Sequence, residues 1–183
     1  ELKSSCNDPE NYQYKISRLS SCDPEHQHFL VQQVHKKSIE EWTEPFSTRQ
    51  LTLQRIFHRV DSIQSLVSAG HIEVAESPSL VIEILDATVY FYGFINKELF
   101  FYRDVPLSAR IDSASSKATL EELSKEIKDT QGHVQSRIKS KTEIPVYLLN
   151  TSSISADSIP ELKLQGLGIE IAERPKASPA DAL

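Results

Sequence analysis

Residues 88–103 read TVYFYGFINKELFFYR, and the fold turns on how this stretch is placed. It holds seven of the chain's fourteen aromatic residues: Tyr90, Phe91, Tyr92, Phe94, Phe100, Phe101 and Tyr102. Aromatic and β-branched residues on both sides of Asn96-Lys97 predict a β-hairpin that turns at that dipeptide. Along the first arm, a period of two puts Val89 and Phe91 on one face and Tyr90 and Tyr92 on the other. A hairpin apolar on both faces lies in the middle of a domain or shows one face to a partner. Val89, Phe91, Leu99 and Phe101 are expected under helices. Tyr90, Tyr92, Phe100 and Tyr102 then form the candidate binding strip, for another protein or for a lipid-like or sugar ligand. Gly93 predicts a bulge or a close backbone approach, and a bulge there exchanges the two faces beyond it. Base stacking on nucleic acid is disfavoured, because only Lys97 and Arg103 supply positive charge in the stretch.

Upstream, Asp23, Pro24 and Glu25 have the character of a helix start, and Val31, Val34, Ser38 and Trp42 follow at helical spacing. That helix is expected to end before Pro45. A second start is read at Ser47 and Gln50 as a capping box, with Phe46 and Leu51 as its hydrophobic staple. Leu53, Ile56, Phe57, Val60, Ile63 and Val67 continue the stripe to a C-terminal Gly70, which places Phe57 and Val60 in the core. The two helices make a helical hairpin over 23–70. Residues 71–76 and 80–85 read as strands, the second broken only by Glu83, and 105–112 reads as an edge strand at best because of Pro106.

Downstream, Thr119 and Glu122 open a third helix with Leu120, Leu123, Ile127, Val134 and Ile138 on one face and an interruption at Gly132. Residues 144–149 and 167–172 are strands, separated by a serine-rich loop. The expected class is α+β: an N-terminal helical hairpin, then a mostly antiparallel sheet with one further helix, in the order α-α-β-β-β-β-α-β-β. Residues 1–22 form an extended arm, 23–174 a single domain (with the sheet and third helix in 71–174), and 175–183 a disordered tail.

At 183 residues and 39% hydrophobic content the chain suffices for one sizeable core. A net charge of −6, with no block of like charge longer than a few residues, argues against nucleic acid or an anionic membrane as the main partner. No run of eighteen apolar residues spans a membrane. The chain starts at Glu1 and contains no methionine, as expected of a processed chain or an excised fragment, which a signal peptide or membrane anchor could have preceded. Cys6 and Cys22 both lie in the polar N-terminal segment. They are expected to form a disulfide worth roughly 3 kcal/mol, and with it an extracytoplasmic location such as periplasm, secretory lumen or cell exterior.

Candidate chemistry is sparse. His26, His28 and His35 lack the i, i+4 spacing of helical zinc sites, so no metal is expected. Glu83 and Asp86 could pair for acid–base work, but a half-exposed strand position explains Glu83 as well. Arg49, Arg55, His58 and Arg59 would share the polar face of the second helix and could receive an acidic partner. Gly166 and Gly168 precede a strand, the wrong setting for a phosphate loop, and no Gly-x-Ser-x-Gly elbow occurs. No catalytic residue and no cofactor is therefore expected. The β-β-α-β order of the second half is similar to small modules of periplasmic ring-forming and envelope-assembly proteins, an analogy of element order. The expected function is a non-enzymatic, extracytoplasmic protein-interaction or assembly domain whose partner is another protein or a second copy. The alternative is a sensor or carrier holding a small apolar or amphipathic ligand between sheet and helices.

Overall fold

A computed structural model describes residues 9–20, 25, 27–53, 56–111, 117–149 and 169–172. Cys6, Cys22 and the tail from residue 175 lie outside these residues. The chain opens with a short 3-10 turn, Pro9–Asn11, and an antiparallel ribbon of β1 (Tyr12–Leu19) and β2 (His28–His35), paired from Tyr12↔His35 to Leu19↔His28. Helices α1 (Lys36–Thr48) and α2 (Arg59–Ser68) follow. A meander of β3 (Ser79–Leu85), β4 (Thr88–Ile95) and β5 (Glu98–Pro106) comes next, then α3 (Lys117–Ile138), β6 (Val146–Leu149) and β7 (Ile169–Ala172). The five strands form one sheet in the order β5-β4-β3-β6-β7, antiparallel through the meander and parallel from β3 to β6 to β7. Among the described residues the architecture is mixed α and β, with two sheets and three helices.

Both faces of the central sheet are covered, which answers the question posed by residues 88–103. On one face α3 lays Leu120, Leu123, Ile127 and Val134 over Ile82, Ile84, Val89, Phe91, Phe100 and Phe101. On the other, Val60, Ile63 and Val67 of α2 and Leu19 of β1 pack against Val81, Tyr92, Phe94 and Leu99. The hairpin turns at Asn96 and Lys97, both with positive φ, as a two-residue turn matched to strand twist demands. Register shifts at Gly93/Phe94, where Phe101 faces Gly93 and Leu99 faces Phe94, so Phe100 is the extra residue. A Cβ at Gly93 would come within 2.8 Å of the Phe101 Cβ, so the bulge requires glycine.

The N-terminal half departs from the sequence reading. Residues 28–35 are a strand, because the alternation of Leu30, Gln32 and Val34 against Phe29, Val31 and Gln33 fits the pleat opposite β1, and a short apolar run suits either period. Asp23 and Pro24 fall between β1 and β2 in the chain, outside the described residues. Pro45 sits within α1, which continues to Thr48. The pair Phe46 and Leu51 belongs to the end of that helix. Leu51 N–H donates to Phe46 O (2.9 Å) and Gln50 N–H to Ser47 O (3.0 Å), with Gln50 at φ 56°, which is a Schellman motif and its apolar pair. Schellman and staple pairs are both five residues apart, so the spacing alone could not tell a stop from a start.

No helical hairpin forms: α1 leans on β2 rather than on α2. The observed order is β-β-α-α-β-β-β-α-β-β. Residues 71–76 are not a strand, and β5 extends to Pro106 at the sheet edge. α3 runs unbroken through Gly132, where an added Cβ would meet nothing within 4 Å. Gly70 closes α2 at φ 75°, as expected.

Candidate functional site

The expected strip does not stand on the surface. Tyr92 and Phe100 are fully buried, and Tyr90 and Tyr102 are half-buried. Phe100 lies on the α3 face, moved there by the bulge, while Leu99 moves to the opposite face. On that opposite face a polar pin ties α2 to the sheet. Glu83 Oε2 accepts the Tyr92 hydroxyl at 3.1 Å and pairs with Arg59 Nη1 at 2.9 Å. The Arg59 guanidinium also lies 4.9 Å from the centre of the Tyr90 ring. Tyr92 and Tyr102 meet at 5.6 Å between ring centres. Burial, then the neighbouring Glu83 charge, pushes the Tyr92 phenol far up, and burial together with Asp104 pushes Tyr102 up to about 12. These phenols stay protonated and donating at neutral pH. Glu83 is thus neither solvent-facing nor paired with Asp86, which sits in the β3–β4 turn beside Arg110.

The basic cluster expected on one helix face is dispersed. Arg49 ends α1, His58 caps α2, Arg59 starts it and engages Glu83, and Arg55 lies outside the described residues. His28 and His35 occupy opposite ends of β2, and His26 is not described. Among the described residues no group of three His, Cys, Asp or Glu side chains is placed to hold a metal ion.

Instead, apolar exposure among the described residues concentrates between Ile39 and Phe57, which includes Phe57, expected in the core. α1 carries Ile39, Trp42 and Phe46 on one stripe, yet buries none of its residues. Trp42 is 56% exposed and Phe57 59% exposed, and Leu51, Leu53 and Ile56 are exposed beside them. Phe57 lies in the loop ahead of α2 and points away from the core that Val60 joins, so its expected burial is corrected while that of Val60 holds. These residues wall an open groove of about 1150 Å³ between α1, residues 51–53 and 56–58, and the β1–β2 ribbon. At its base Gln32 of β2 meets His58. Gln32 Nε2 lies 3.0 Å from His58 Nδ1, which also accepts Val60 N–H at 3.3 Å as the cap of α2. Burial, only partly opposed by Asp61 and reinforced by Lys15 and Arg59, holds the His58 imidazole below its ordinary range, so the neutral, accepting ring is favoured. Lys15 and Asp61 close one rim at 2.7 Å. The signal for this site was present in the sequence as an apolar stripe. What it lacked was any indication that the stripe had no cover.

No described helix is long and apolar enough to cross a membrane. Neither a family model nor a curated protein matches the sequence. Among solved structures, one chain of the PilM-PilN type IV pilus biogenesis complex aligns with a TM-score of 0.68 at 12% identity, over 94% of this chain and 59% of that one. A Bacteroides thetaiotaomicron protein described as having an actin-like ATPase fold and unknown function aligns with a TM-score of 0.52 at 12% identity, over 92% and 56%. The chain therefore spans a little over half the length of each, and the likeness is one of fold.

Proposed function

We propose that the protein is a non-enzymatic interaction or assembly domain that receives a polypeptide partner in the groove between α1, residues 51–53 and 56–58, and the ribbon. The observation that carries this reading is α1 itself: a thirteen-residue helix with an apolar stripe and no buried residue. Short helices draw their stability from packing of that stripe, and an exposed continuous apolar patch marks an interaction surface. Covering Trp42, Phe46 and Phe57 would contribute on the order of 1.5–3 kcal/mol each if fully buried. Lipid is the weaker occupant, since α1 carries Glu40, Glu41 and Glu44 against Lys36 and Lys37, and an anionic surface repels that balance. The fold likeness to a chain from a pilus biogenesis complex supports a protein partner without identifying it. The tyrosine strip of residues 90, 92 and 102 serves as a pin for α2 in this reading.

The experiment places a photo-crosslinking residue at Phe57 or, as a control, at Lys125 on α3. A specific protein adduct from Phe57 alone supports docking, and identical adducts from both positions refute it. Binding to vesicles that is lost in Trp42→Glu would transfer the groove to lipid. The fold likeness to an actin-like ATPase fold makes nucleotide the rival ligand, and saturable ATP binding or hydrolysis would overturn the non-enzymatic reading. An extracytoplasmic location rests on a Cys6–Cys22 disulfide. Thiol alkylation before and after reduction, read by mass, tests it, and two freely alkylated thiols in native protein would remove it.

A further inference from the structure

Two helices begin on the rim of the groove, and a histidine caps each of them. His35 holds extended backbone (φ −66°, ψ 130°) at the start of α1, and its Nδ1 accepts the Lys37 N–H at 3.2 Å. His58 does the same for α2 (φ −71°, ψ 147°): its Nδ1 accepts the Val60 N–H at 3.3 Å and faces a second donor, Gln32 Nε2 of β2, at 3.0 Å. Both imidazoles line the groove. Serine, threonine, aspartate and asparagine are the ordinary caps, and their oxygens go on accepting at neutral and mildly acidic pH. Histidine accepts at Nδ1 only while the ring is neutral, with its proton on Nε2. An imidazolium there would set N–H against N–H and add positive charge to the positive end of a helix. The charged neighbours do not restore the caps. Around His58, Asp61 of α2 is held by Lys15 of β1 and Glu83 of β3 by Arg59 of α2, while α1 lines the groove without a charged side chain. Around His35, Lys36 donates to Glu10 O, Glu41 pairs with Lys37 at 3.8 Å, and the Tyr12 ring of β1 lies 5.0 Å from the imidazole.

We propose that His35 and His58 form a proton-operated switch, which uncaps both groove helices as the pH falls through the range where imidazole titrates and loosens the groove walls while the five-stranded sheet stays folded. At His58, burial favours the neutral ring, so each proton taken up works against the folded cap. The two helices respond unequally. α2 also buries Val60, Ile63 and Val67, whereas α1 buries no residue, so the cap is the larger share of what holds α1 in place. None of the five sheet strands contains a histidine, so mild acid has no such handle on the core. The switch acts on the chain itself, with or without a partner in the groove.

The test is a titration of the native chain from about pH 7.5 to about pH 5 by nuclear magnetic resonance. It follows both imidazoles, the Lys37 and Val60 amides, and amide hydrogen exchange corrected for its intrinsic pH dependence. Each capping amide should shift with the same midpoint as its own histidine. Exchange from α1 should quicken about fivefold, the effect of losing one cap, with a smaller change in α2 and none at Phe91 or Tyr92 of β4. His35→Asn keeps a capping oxygen and should abolish the acid response of α1 alone, and His58→Asn that of α2 alone. Capping amides that do not follow their imidazoles overturn the proposal, as does a response confined to one helix or one that persists in the matching Asn variant. Equal loss of protection in β4 and α1 also overturns it, because the acid response would then be global. If an Asn variant fails to fold by circular dichroism, the paired midpoints of the native chain decide without any substitution. Trp42, the one tryptophan, sits on α1 and gives a second readout. Its fluorescence should change over the same pH interval in the native chain and stay level in His35→Asn, and a level trace in the native chain counts against the switch.

Discussion

Tyr92→Ala decides whether the aromatic hairpin is a surface or an interior. The ring is fully buried between α2 and the sheet, against Val81, Phe94 and Leu99, and its hydroxyl donates to Glu83 Oε2 at 3.1 Å. Truncation removes the ring contacts and leaves a cavity, which for a large aromatic costs about 3–5 kcal/mol. The hydroxyl is separable from the ring. Tyr92→Phe keeps the packing, and Glu83 retains Arg59 at 2.9 Å, so only one hydrogen bond to a charged group is lost, about 1–2 kcal/mol net. Glu83→Ala is expected to fall between the two, because it strands a buried phenol and leaves a partly exposed guanidinium without its partner. The assay is urea unfolding followed by far-ultraviolet circular dichroism, since the one tryptophan, Trp42, lies on exposed α1 and reports poorly on the core. At the size of this chain, 3–5 kcal/mol corresponds to a fall in melting temperature of about 6–20 °C. Phe91→Ala, on the opposite face, should cost the same. If Tyr92→Ala costs less than about 1 kcal/mol while Phe91→Ala costs 3 or more, the tyrosine face is open and the burial argument fails.

The remaining outcomes follow from single contacts. His58 caps α2 only as a neutral acceptor and its folded-state pKa is lowered, so the stability it contributes is complete above about pH 6.5 and is lost as the pH falls below that value. His58→Asn keeps a capping oxygen and should flatten this acid limb in urea midpoints, and an unchanged limb refutes the assignment. Gly93→Ala should destabilise by about 1–3 kcal/mol through overlap with Phe101 Cβ at 2.8 Å, and a neutral substitution would mean the bulge relaxes freely. Phe57→Ala, at 59% exposure, should change stability by less than about 1 kcal/mol while weakening any groove-bound peptide, with both read on the same preparation.

Where local chemistry chose between few options, the sequence was legible. Asn96 and Lys97 tolerate positive φ, so the hairpin turned where expected, and Gly93 bulged because only glycine admits the Phe101 side chain so closely. Gly70 ended α2, and the stripe of Leu120, Leu123 and Ile127 formed α3. Between His28 and Leu53 the described residues depart from the sequence reading for a physical reason. His28–His35 is eight residues long, and apolar positions in so short a run satisfy periods of 2.0 and 3.6 at once. The choice fell to β1, the strand just before it in the chain, which supplies eight cross-strand partners that no period within residues 28–35 displays. Likewise Phe46 and Leu51 mark either end of a helix, and the direction was settled by the positive φ at Gln50.

The sequence by itself determined that residues 80–85 and 88–103 form apolar strands, the second stretch turning at Asn96-Lys97, and that a helix carrying Leu120, Leu123 and Ile127 follows. These depend on near neighbours, which a linear chain displays. Only the tertiary structure decided which apolar residues have cover. Tyr92 and Phe100 are as hydrophobic as Trp42 and Phe57, yet the first pair lies beneath α2 and α3 and the second lines an open groove. The same holds for Glu83 and Gln32: one buried polar side chain found Arg59 and Tyr92, the other has a carbonyl without a partner among the described residues. Burial and pairing are set by elements brought together from far apart in the chain, and that information exists only once the sheet has been built and its faces have been filled.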